Sequence, residues 1–348
     1  MNTTASSIAA GTGSLQLEYL SSREVGSQSS SWWQGVLGVV GFDKPPNIDR
    51  ARIPVTAGMI RSLRERDLCE VWRVASPDVP LFSGSPQAKI RHRYSNDLLF
   101  GSLTIAEQGI DARSEAGALQ RATELAYQEI FDLLNETEHR HLIRIWNYLP
   151  EINVQAGGDE RYRHFNSARQ MAFRKSGRAI VGTVPAASAL GSPAGSQLSI
   201  YFLAARRPPK MIENPRQTCA YHYPPKFGKH SPIFSRACVW GELGSGRLFV
   251  SGTASIVGHE TIHRGDVIAQ TRETMVNISA LLEEANRIVG SSRYCLDGLK
   301  LKAYVRNPSD LPDVEATLSE LLGPGTPIVY LQADVCREDL LVEIEAVG

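Results

Sequence analysis

The sequence has little cysteine, no excess of charge of either sign and no long hydrophobic run. Its five cysteines are odd in number and show no Cys-x-x-Cys spacing, which argues against a disulfide framework or a zinc site and fits a reducing cytoplasm. The 37 basic and 37 acidic residues cancel, so neither nucleic acid nor an anionic membrane is an expected partner. No apolar run approaches the length of a membrane span.

The length of the chain sets the number of folded units. With 348 residues it is too long for one ordinary core, and two or three packed units are expected. Residues 1–13 are polar and rich in Ser and Thr, and they lack the basic and apolar regions of a signal peptide. We therefore expect a flexible tail on a cytoplasmic protein.

Residues 248–348 have the pattern of one complete α/β unit. Asp266 can cap a helix that Gly290 ends, and a second helix follows Pro308. Alternating or short apolar runs predict strands at 248–252, 299–306, 328–333 and 340–346. We expect a mixed sheet with two helices on one face, in which the strand at 299–306 is half-buried.

The middle of the chain repeats this plan, which indicates an internal repeat. Its elements are a strand at 98–102, a helix at 116–134, a strand at 142–148, a helix at 160–175 and a strand at 198–204. A weaker third copy is suggested by strands at 15–19 and 68–74 and an apolar stretch at 33–40. We predict an N-terminal domain at 14–205 (lobes 14–97 and 98–205), a connecting loop region at 206–247 and a C-terminal domain at 248–348.

The closing strand carries an ionisable group. Because side chains alternate along a strand, Glu343 and Glu345 share the face opposite Val342 and Ile344. If helices cover the face that bears Val342 and Ile344, the Glu343 side chain points away from them, toward the part of the protein that packs on the opposite face of the sheet. An exposed carboxylate on an edge strand is the ordinary alternative, and for Glu345 we favour a structural role.

Residues 206–236 show no periodicity and contain seven Lys or Arg against one acid, Glu213. A solvated connector would explain this composition. However, a loop of this length inside a compact protein is usually functional, so we treat it as a local positive patch in an otherwise neutral chain.

Several segments of the C-terminal unit resemble the RidA/YjgF family of small trimeric proteins, whose units have a chorismate-mutase-like fold. The matching residues are Phe249–Gly252, Gln270–Arg272, Tyr304–Arg306 with the Pro308–Asp310 turn, and Leu341–Ala346. The resemblance implies an α/β (α+β) fold with up to three such units in a covalent pseudo-trimer. It also implies that the helix-free face bearing Glu343 is a seam between units, where partial burial raises the pKa of a carboxyl group.

The wider sequence resembles the chorismatase family. The segments that carry this resemblance are Arg144–Tyr148, Glu160–Asn166, Tyr223–Pro225, Ser231–Ala237 and Ser251–Ser255. It implies removal of the enolpyruvyl group of chorismate, giving pyruvate and either a hydroxybenzoate or a dihydroxycyclohexadiene acid, with no metal or cofactor. We expect Glu343 to protonate the enolpyruvyl methylene carbon as a general acid.

The same resemblance suggests the other site residues. A dianionic substrate needs fixed cations, and arginine suits two-pronged carboxylate binding; the candidates are Arg236 with Tyr221, and Arg163 with Arg169 for the second carboxylate. The glycine of the Ser251–Gly252 turn allows close backbone approach to a ligand. Cys336 is either a small buried residue or, as in the 3-hydroxybenzoate-forming branch, part of the catalytic set.

Two other functions stay open at this stage. A RidA-type enamine/imine deaminase would need an arginine in a Pro-Ala-Arg-type segment ahead of the penultimate strand, where this chain has Gly325–Ile328. A ligand-binding protein without activity is the second. Tyr201 occupies the position in the middle unit that Glu343 occupies in the last, so we predict one active site per chain. Because all three positions of a trimer are filled internally, we expect a monomer.

Overall fold

Three β-sheets of related topology form the framework of the protein, which we describe from a computed structural model. The structure describes residues 15–43, 53–57, 59–74, 81–84, 89–110, 115–242, 245–323 and 325–348. The predicted tail, 1–13, lies outside these residues.

The N-terminal lobe is a four-stranded sheet with two short helices. Its strands are β1 (Leu15–Ser21), β2 (Val36–Gly41), β3 (Val55–Ala57) and β5 (Leu68–Val74), in the order β1-β5-β2-β3, and its helices are α1 (Ser22–Gly26) and α2 (Ser30–Gln34). A short strand, β4 (Arg61–Ser62), leaves this lobe and joins the C-terminal sheet.

The middle lobe is built on a seven-stranded sheet in the order β21-β12-β9-β13-β8-β7-β6. Its own elements are β6 (Phe82–Ser83), β7 (Arg91–Tyr94), β8 (Leu98–Ile105), α3 (Glu115–Glu136), β9 (His141–Pro150), the β10 (Gln155–Ala156) and β11 (Asp159–Glu160) hairpin, α4 (Arg161–Lys175), β12 (Ala186–Ser192) and β13 (Leu198–Ala205). Strand β12 was not predicted from the sequence. It runs parallel to β9.

The C-terminal lobe has a second seven-stranded sheet, in the order β14-β15-β16-β22-β19-β20-β4. Its elements are β14 (Lys210–Ile212), β15 (Ala237–Trp240), β16 (Arg247–Ala254), the β17 (Ile256–Val257) and β18 (Glu260–Thr261) hairpin, α5 (Val267–Val289), β19 (Lys300–Val305), α6 (Leu311–Leu322), β20 (Ile328–Gln332), β21 (Asp334–Val335) and β22 (Val342–Val347). As predicted, the Asp266 carboxylate caps α5 by accepting from Ala269 N at 2.9 Å, and Gly290 ends the helix in a left-handed conformation.

The three sheets share one four-stranded arrangement, which confirms the internal repeat and its third copy. In each lobe the first strand lies beside the last, the last beside the second, and the second beside the third: β1-β5-β2-β3, β8-β13-β9-β12 and β16-β22-β19-β20. The second and third strands are parallel in every case. The N-terminal copy keeps the strands but has only two five-residue helices.

Sheet membership corrects the predicted lobe limits. Strands β6 and β7 precede residue 98 but belong to the middle sheet, because β7 pairs with β8. Strands β14 and β15 lie within 206–247 and extend the C-terminal sheet. That region is therefore not only a connecting loop. The short edge strands gave no clear periodic signal in the sequence.

The helices α5 and α6 cover one face of the C-terminal sheet, as predicted. Val342, Ile344 and Ala346 pack with helix residues in one hydrophobic core. The prediction that 299–306 is half-buried was wrong, since both faces of β19 are buried and Lys302 is only 2 % exposed. The second face meets the other lobes instead of solvent.

Lys302 joins all three lobes at this junction. Its ammonium group lies 2.6 Å from Glu70 of the N-terminal lobe and 2.6 Å from Glu345 of its own lobe. It also donates a hydrogen bond of 3.0 Å to the hydroxyl of Tyr201 in the middle lobe. Two carboxylates and one hydroxyl thus surround the ammonium group, so the buried charge is compensated.

Candidate active site

Glu343 lies in a central strand and faces away from the helices. Strand β22 is paired on both sides, with β16 and β19, and the Glu343 side chain is 4 % exposed. Its Oε1 atom is buried without a hydrogen-bond partner among the residues that the structure describes. The alternation of side chains along the strand thus places this carboxyl group at the seam between lobes. The alternative of an exposed carboxylate on an edge strand is excluded.

Gly252 makes room for the carboxyl group of Glu343. The pairing of β16 with β22 shifts register between Val250 and Thr253, and a Cβ atom added to Gly252 would lie 1.9 Å from Glu343 Oε1. That distance is far inside van der Waals contact. Glycine is therefore required here for close approach, as the sequence suggested, but the group that approaches is the carboxyl group of the protein.

Glu345 lies two residues along the same face and is fully engaged. Its carboxylate oxygens accept from Arg144 at 2.7 Å, from Trp146 Nε1 at 2.7 Å and from the hydroxyl of Ser188 at 2.7 Å, in addition to the Lys302 ion pair. This cluster supports a structural role for Glu345. Ser188 also accepts from Gly252 N at 3.0 Å, so the cluster is tied to the backbone beneath Glu343.

The two carboxyl groups have pKa values shifted in opposite directions. Burial, and then the charge of Glu345, raise the pKa of Glu343 to about 8, against smaller opposing effects of nearby arginines. Burial would also raise the pKa of Glu345, but the charges of Lys302 and Arg144 outweigh it and hold that pKa below its ordinary value. Near neutral pH, Glu343 is thus a protonated acid beside a permanent carboxylate, the pattern by which acid and base roles separate.

Glu343 borders a cavity of about 400 Å³, a size typical of small-ligand sites. The walls come from the start of α4, the segment before β15, strand β16 and the turn between β21 and β22. They include Tyr162, Arg163, Tyr223, Phe227, Phe234, Arg236, Gly252, Cys336 and Arg337. The cavity is therefore formed between the middle and C-terminal lobes.

Arg236 and Arg337 supply positive charge to this cavity. Arg236 is 3 % exposed and donates through Nη2 to Tyr223 Oη at 2.7 Å and Thr218 O at 2.8 Å, while its buried Nε has no acceptor among the described residues. Arg337 stacks on Phe227, with 4.1 Å from Cζ to the ring centre, and its buried Nη2 likewise has no acceptor there. Such fixed guanidinium groups suit a carboxylate ligand.

A smaller annex of about 30 Å³ continues the cavity behind Glu343. It shares Tyr162, Phe234, Gly252, Cys336 and Glu343 with the main cavity and adds the polar side chains of Asn147, Asn166, Arg169 and Ser188. Arg169 is 3 % exposed, donates to Ile233 O at 2.6 Å and keeps Nε and Nη2 buried without an acceptor among the described residues.

Three other predicted site residues have different surroundings. Arg163 lines the main cavity, but its guanidinium lies 3.1 Å from Asp159 of its own lobe. Tyr221 does not line the cavity and packs on the middle core, because it lies within a 3₁₀ turn, whereas Tyr223 follows that turn and reaches the cavity. Ser251 is fully buried, donates to Ser235 O at 2.6 Å and does not line the cavity.

Cys336 lies at both cavities, beside Glu343. Burial, and then the neighbouring Glu343, raise the pKa of its thiol to about 12, so the sulfur is a neutral thiol near pH 7 and not a thiolate nucleophile. The residue can fill space or donate a weak hydrogen bond at the site. Among the described residues, no group of three or more His, Cys, Asp or Glu side chains is arranged to hold a metal ion.

Sequence reasoning missed Arg337, Tyr223 and Ser188 as site residues. Arg337 directly follows Cys336, and this adjacency was the one available signal. Tyr223 lies in a segment that carries the family resemblance, but the residue predicted from the sequence is Tyr221. Ser188 lies in β12, the strand that was not predicted. In the part of the chain that the structure describes, no helix is both long and apolar enough to span a membrane.

The three-lobed α+β fold and the buried acid at an interlobe cavity define an enzyme assembled from repeated sheet units. A family model described as Chorismatase FkbO/Hyg5-like, N-terminal, matches residues 70–204. A 3-hydroxybenzoate synthase of Streptomyces hygroscopicus is 41 % identical over 66 % of this chain and 70 % of its own length. A chorismatase of Streptomyces rapamycinicus is 36 % identical over 84 % of this chain and 86 % of its own.

A solved structure and a further relative agree with this result. A chorismatase crystal structure superposes with a TM-score of 0.84 and 32 % identity over 97 % of this chain and 99 % of that one. A RutC family protein of Pyrococcus abyssi is 31 % identical over 29 % of this chain and 76 % of its own length. The chain belongs to the chorismatase family.

Proposed function

We propose that this enzyme converts chorismate to 3-hydroxybenzoate and pyruvate, with Glu343 as the general acid. The observation that carries the proposal is the burial of Glu343 beside charged Glu345, at a cavity where Arg236 Nε and Arg337 Nη2 have no acceptor among the described residues. Carbon is a poor base, so the acid must be close, oriented and still protonated near neutral pH. The pKa of about 8 at Glu343 meets the last requirement.

Three arginines, rather than the net charge of the cavity lining, support binding of a dianion. Arg236 and Arg337 face one cavity and Arg169 lines its annex, so two carboxylates of one small molecule can be held by separate guanidinium groups. Arg163 is the weaker candidate, because Asp159 already neutralises it. Gly252 contributes by leaving space for the carboxyl group of Glu343. We do not assign substrate contacts to Tyr221 and Ser251, which do not line the cavity. Tyr223 lines it and orients Arg236 through a hydrogen bond.

The proposed reaction is an isomerising cleavage that consumes no water. Glu343 gives its proton to the enolpyruvyl methylene carbon, and the resulting oxocarbenium weakens the bond between its oxygen and ring carbon three. That bond breaks and pyruvate leaves, while the neighbouring ring hydroxyl attacks the same carbon and loses its proton. The transient epoxide opens and a ring C–H proton is lost, which gives the aromatic acid. One of the two released protons restores Glu343, and the other goes to the epoxide oxygen, which becomes the phenol hydroxyl.

The annex favours one alternative. Its volume of about 30 Å³ and its polar lining can hold a water molecule beside Glu343. Attack of that water on ring carbon three would give 3,4-dihydroxycyclohexa-1,5-diene carboxylate and pyruvate, the hydrolase reaction. Cys336 borders the same space, and we propose that it disfavours this outcome in the present chain.

One assay tests the proposal. The protein is incubated with chorismate, pyruvate is measured with a coupled dehydrogenase, and the second product is identified by chromatography against 3-hydroxybenzoate, 4-hydroxybenzoate and the diene diol. We expect pyruvate and 3-hydroxybenzoate in equal amounts. Formation of pyruvate and the diene diol would show that the protein is a chorismate hydrolase and not a 3-hydroxybenzoate synthase. Absence of pyruvate would favour a deaminase or a ligand-binding protein without activity.

We further propose that the chain acts as a cytoplasmic monomer without a cofactor. The three repeated sheets occupy the three lobe positions within one chain, and Lys302 already joins all of them. Light scattering of the purified protein would test the oligomeric state, and a mass near three times 38.2 kDa would contradict it.

A further inference from the structure

A second cavity, of about 330 Å³, shares no lining residue with the candidate active site. It lies between the start of β9, the end of α4, the loop that follows α4 and the segment that leads into β14. Its lining residues are Arg140, His141, Leu142, Phe173, Arg178, Ala179, Thr183, Pro185, Pro208, Pro209 and Met211. Its size is that of a small-molecule site.

The lining combines apolar surface with positive charge. Phe173, Leu142, Met211 and the three prolines supply the apolar part, and no carboxylate is among the lining residues. Arg178 is fixed: its Nη1 donates to Arg140 O at 2.8 Å, and its Cζ lies 4.5 Å from the centre of the Phe131 ring. The exposed side chain of Arg140 adds a second guanidinium at the rim.

His141 completes the basic side of the cavity. Burial, and then the charges of Arg178 and Arg140, lower the pKa of its imidazole, so the ring is neutral near pH 7 and offers one N–H donor. A ligand at this position would meet two guanidinium groups and an imidazole on one side and aromatic and aliphatic surface on the other. This pattern favours a small molecule with one anionic end and one apolar end.

We propose that this second cavity binds a small aromatic carboxylate. The ring would lie against Phe173 and the prolines, and the carboxylate would accept from Arg140 and Arg178. Pro208, Pro209 and Met211 come from the 206–236 stretch, lie between Arg207 and the end of β14, and do not line the active-site cavity.

Two contacts connect this cavity with the active site. The Phe173 ring, which lines the second cavity, lies 5.2 Å from Cζ of Arg169, which lines the annex behind Glu343. Pro185 O accepts from Ser235 N at 3.1 Å, and Ser235 precedes Arg236 of the main cavity. A ligand that shifts Phe173 or Pro185 would therefore alter the two arginines, and chorismate would alter the affinity for that ligand equally.

If the proposed function holds, this coupling has a regulatory use, and that use rests on the proposed function. The proposed product, 3-hydroxybenzoate, is itself a small aromatic carboxylate, so the cavity would let accumulated product reduce substrate binding. Binding of benzoate, in contrast, can be measured without any turnover. Failure of the second site and failure of the proposed reaction are thus separate results.

The test uses calorimetric titration of the full-length protein with benzoate. Thr183→Trp fills the cavity from its exposed rim, and Arg140→Glu reverses the charge of an exposed guanidinium. The matched controls are Val181→Trp and Arg174→Glu, whose positions are exposed and do not line the cavity. We expect the first substitution to remove a binding event and the second to weaken the same event at least about tenfold.

The controls should bind benzoate as the unmodified protein does. Saturating benzoate should raise KM for chorismate. In Thr183→Trp the increase in KM that arises from the second cavity should be absent, and kcat without benzoate should be unchanged. Identical benzoate isotherms for Thr183→Trp, Arg140→Glu and the unmodified protein would overturn the proposal. A single benzoate-binding event that is lost on addition of a tight active-site ligand and is unaltered by Thr183→Trp would also overturn it.

Discussion

Lys302 and Glu345 form a buried ion pair in which Nζ lies 2.6 Å from Oε1 and both side chains are at most 4 % exposed. The pair keeps Glu345 charged in a place that solvent does not reach. Because Glu343 lies two residues along the same strand face, the ion pair indirectly maintains the acid next to it in its protonated form. One lysine thus supports both the assembly of the lobes and the state of the acid.

Replacing Lys302 with Met should destabilise the protein by about 3–5 kcal/mol, because buried Glu70 would lose its cation and Glu345 would keep only Arg144. Chemical denaturation measures this change as a lower midpoint with an unchanged slope. Lys229→Met, at an exposed position, is the control and should have little effect. Equal stability of the two variants would show that the junction does not depend on the ammonium group.

Replacing Glu345 with Gln should lower the pKa of Glu343. The substitution removes the neighbouring negative charge that raises this pKa and leaves Arg144 without its partner carboxylate. Since the acid must be protonated, the alkaline limb of the kcat/KM profile should move to lower pH, and activity at pH 8 should fall more than activity at pH 6.

Glu283→Gln is the control for this profile, because Glu283 is an exposed carboxylate on α5. A merely structural Glu345 would lower kcat/KM by the same factor at every pH. An unshifted alkaline limb in Glu345→Gln would therefore contradict the proposed influence on Glu343.

Replacing Glu343 with Gln should reduce kcat by about 10² to 10⁴ or more, the contribution of a positioned general acid. The variant should also change the pH dependence of stability. Glu343 has a pKa raised from 4.5 to about 8 in the folded protein, so the folded state binds more protons than the unfolded state between these values. Stability of the unmodified protein therefore falls as pH rises through this window.

Glutamine has no such titration, so the Glu343→Gln protein should lose less stability than the unmodified protein between pH 5 and pH 8. Thermal unfolding at both pH values measures the difference. Near-normal turnover in a folded Glu343→Gln protein would exclude the general-acid role. Parallel loss of stability in both proteins would show that the carboxyl group ionises normally.

Replacing Gly252 with Ala should lower activity with little loss of folding. The added Cβ would lie 1.9 Å from Glu343 Oε1, so the carboxyl group must move away from its position at the cavity. We expect a fall in kcat of at least about tenfold, since small misplacements of reacting groups are costly. Gly26→Ala, where nothing lies within 4 Å of the added atom, should have normal kinetics.

Local patterns in the sequence were sufficient to predict the repeated elements. Alternation placed Glu343 opposite the helix-covered face, and Asp266 and Gly290 defined α5 through capping. These features depend on residues a few positions apart. The number and order of the main strands in the middle and C-terminal units could be predicted for the same reason, except for β12.

What could not be predicted depends on contacts between distant residues. The sequence shows Lys302 as a polar residue in an alternating strand, which is typical of solvent exposure, whereas Glu70 and Tyr201 bury it from two other lobes. Short strands such as β7 exist because a neighbouring edge pairs with them. Tyr221 lies within a 3₁₀ turn, whereas Tyr223 follows the turn and lines the cavity. No periodic pattern in the sequence predicts that turn.

Replacing Cys336 with Ala should shift the product from 3-hydroxybenzoate toward the diene diol. Cys336 borders the annex beside Glu343, and its loss would enlarge the space in which a water molecule can approach the reacting ring carbon. Its thiol has a pKa of about 12, so the effect should not change between pH 6 and pH 8. Cys295→Ala, at an exposed position, should give the normal product ratio by chromatography. An unaltered ratio in Cys336→Ala would show that exclusion of water does not depend on this side chain.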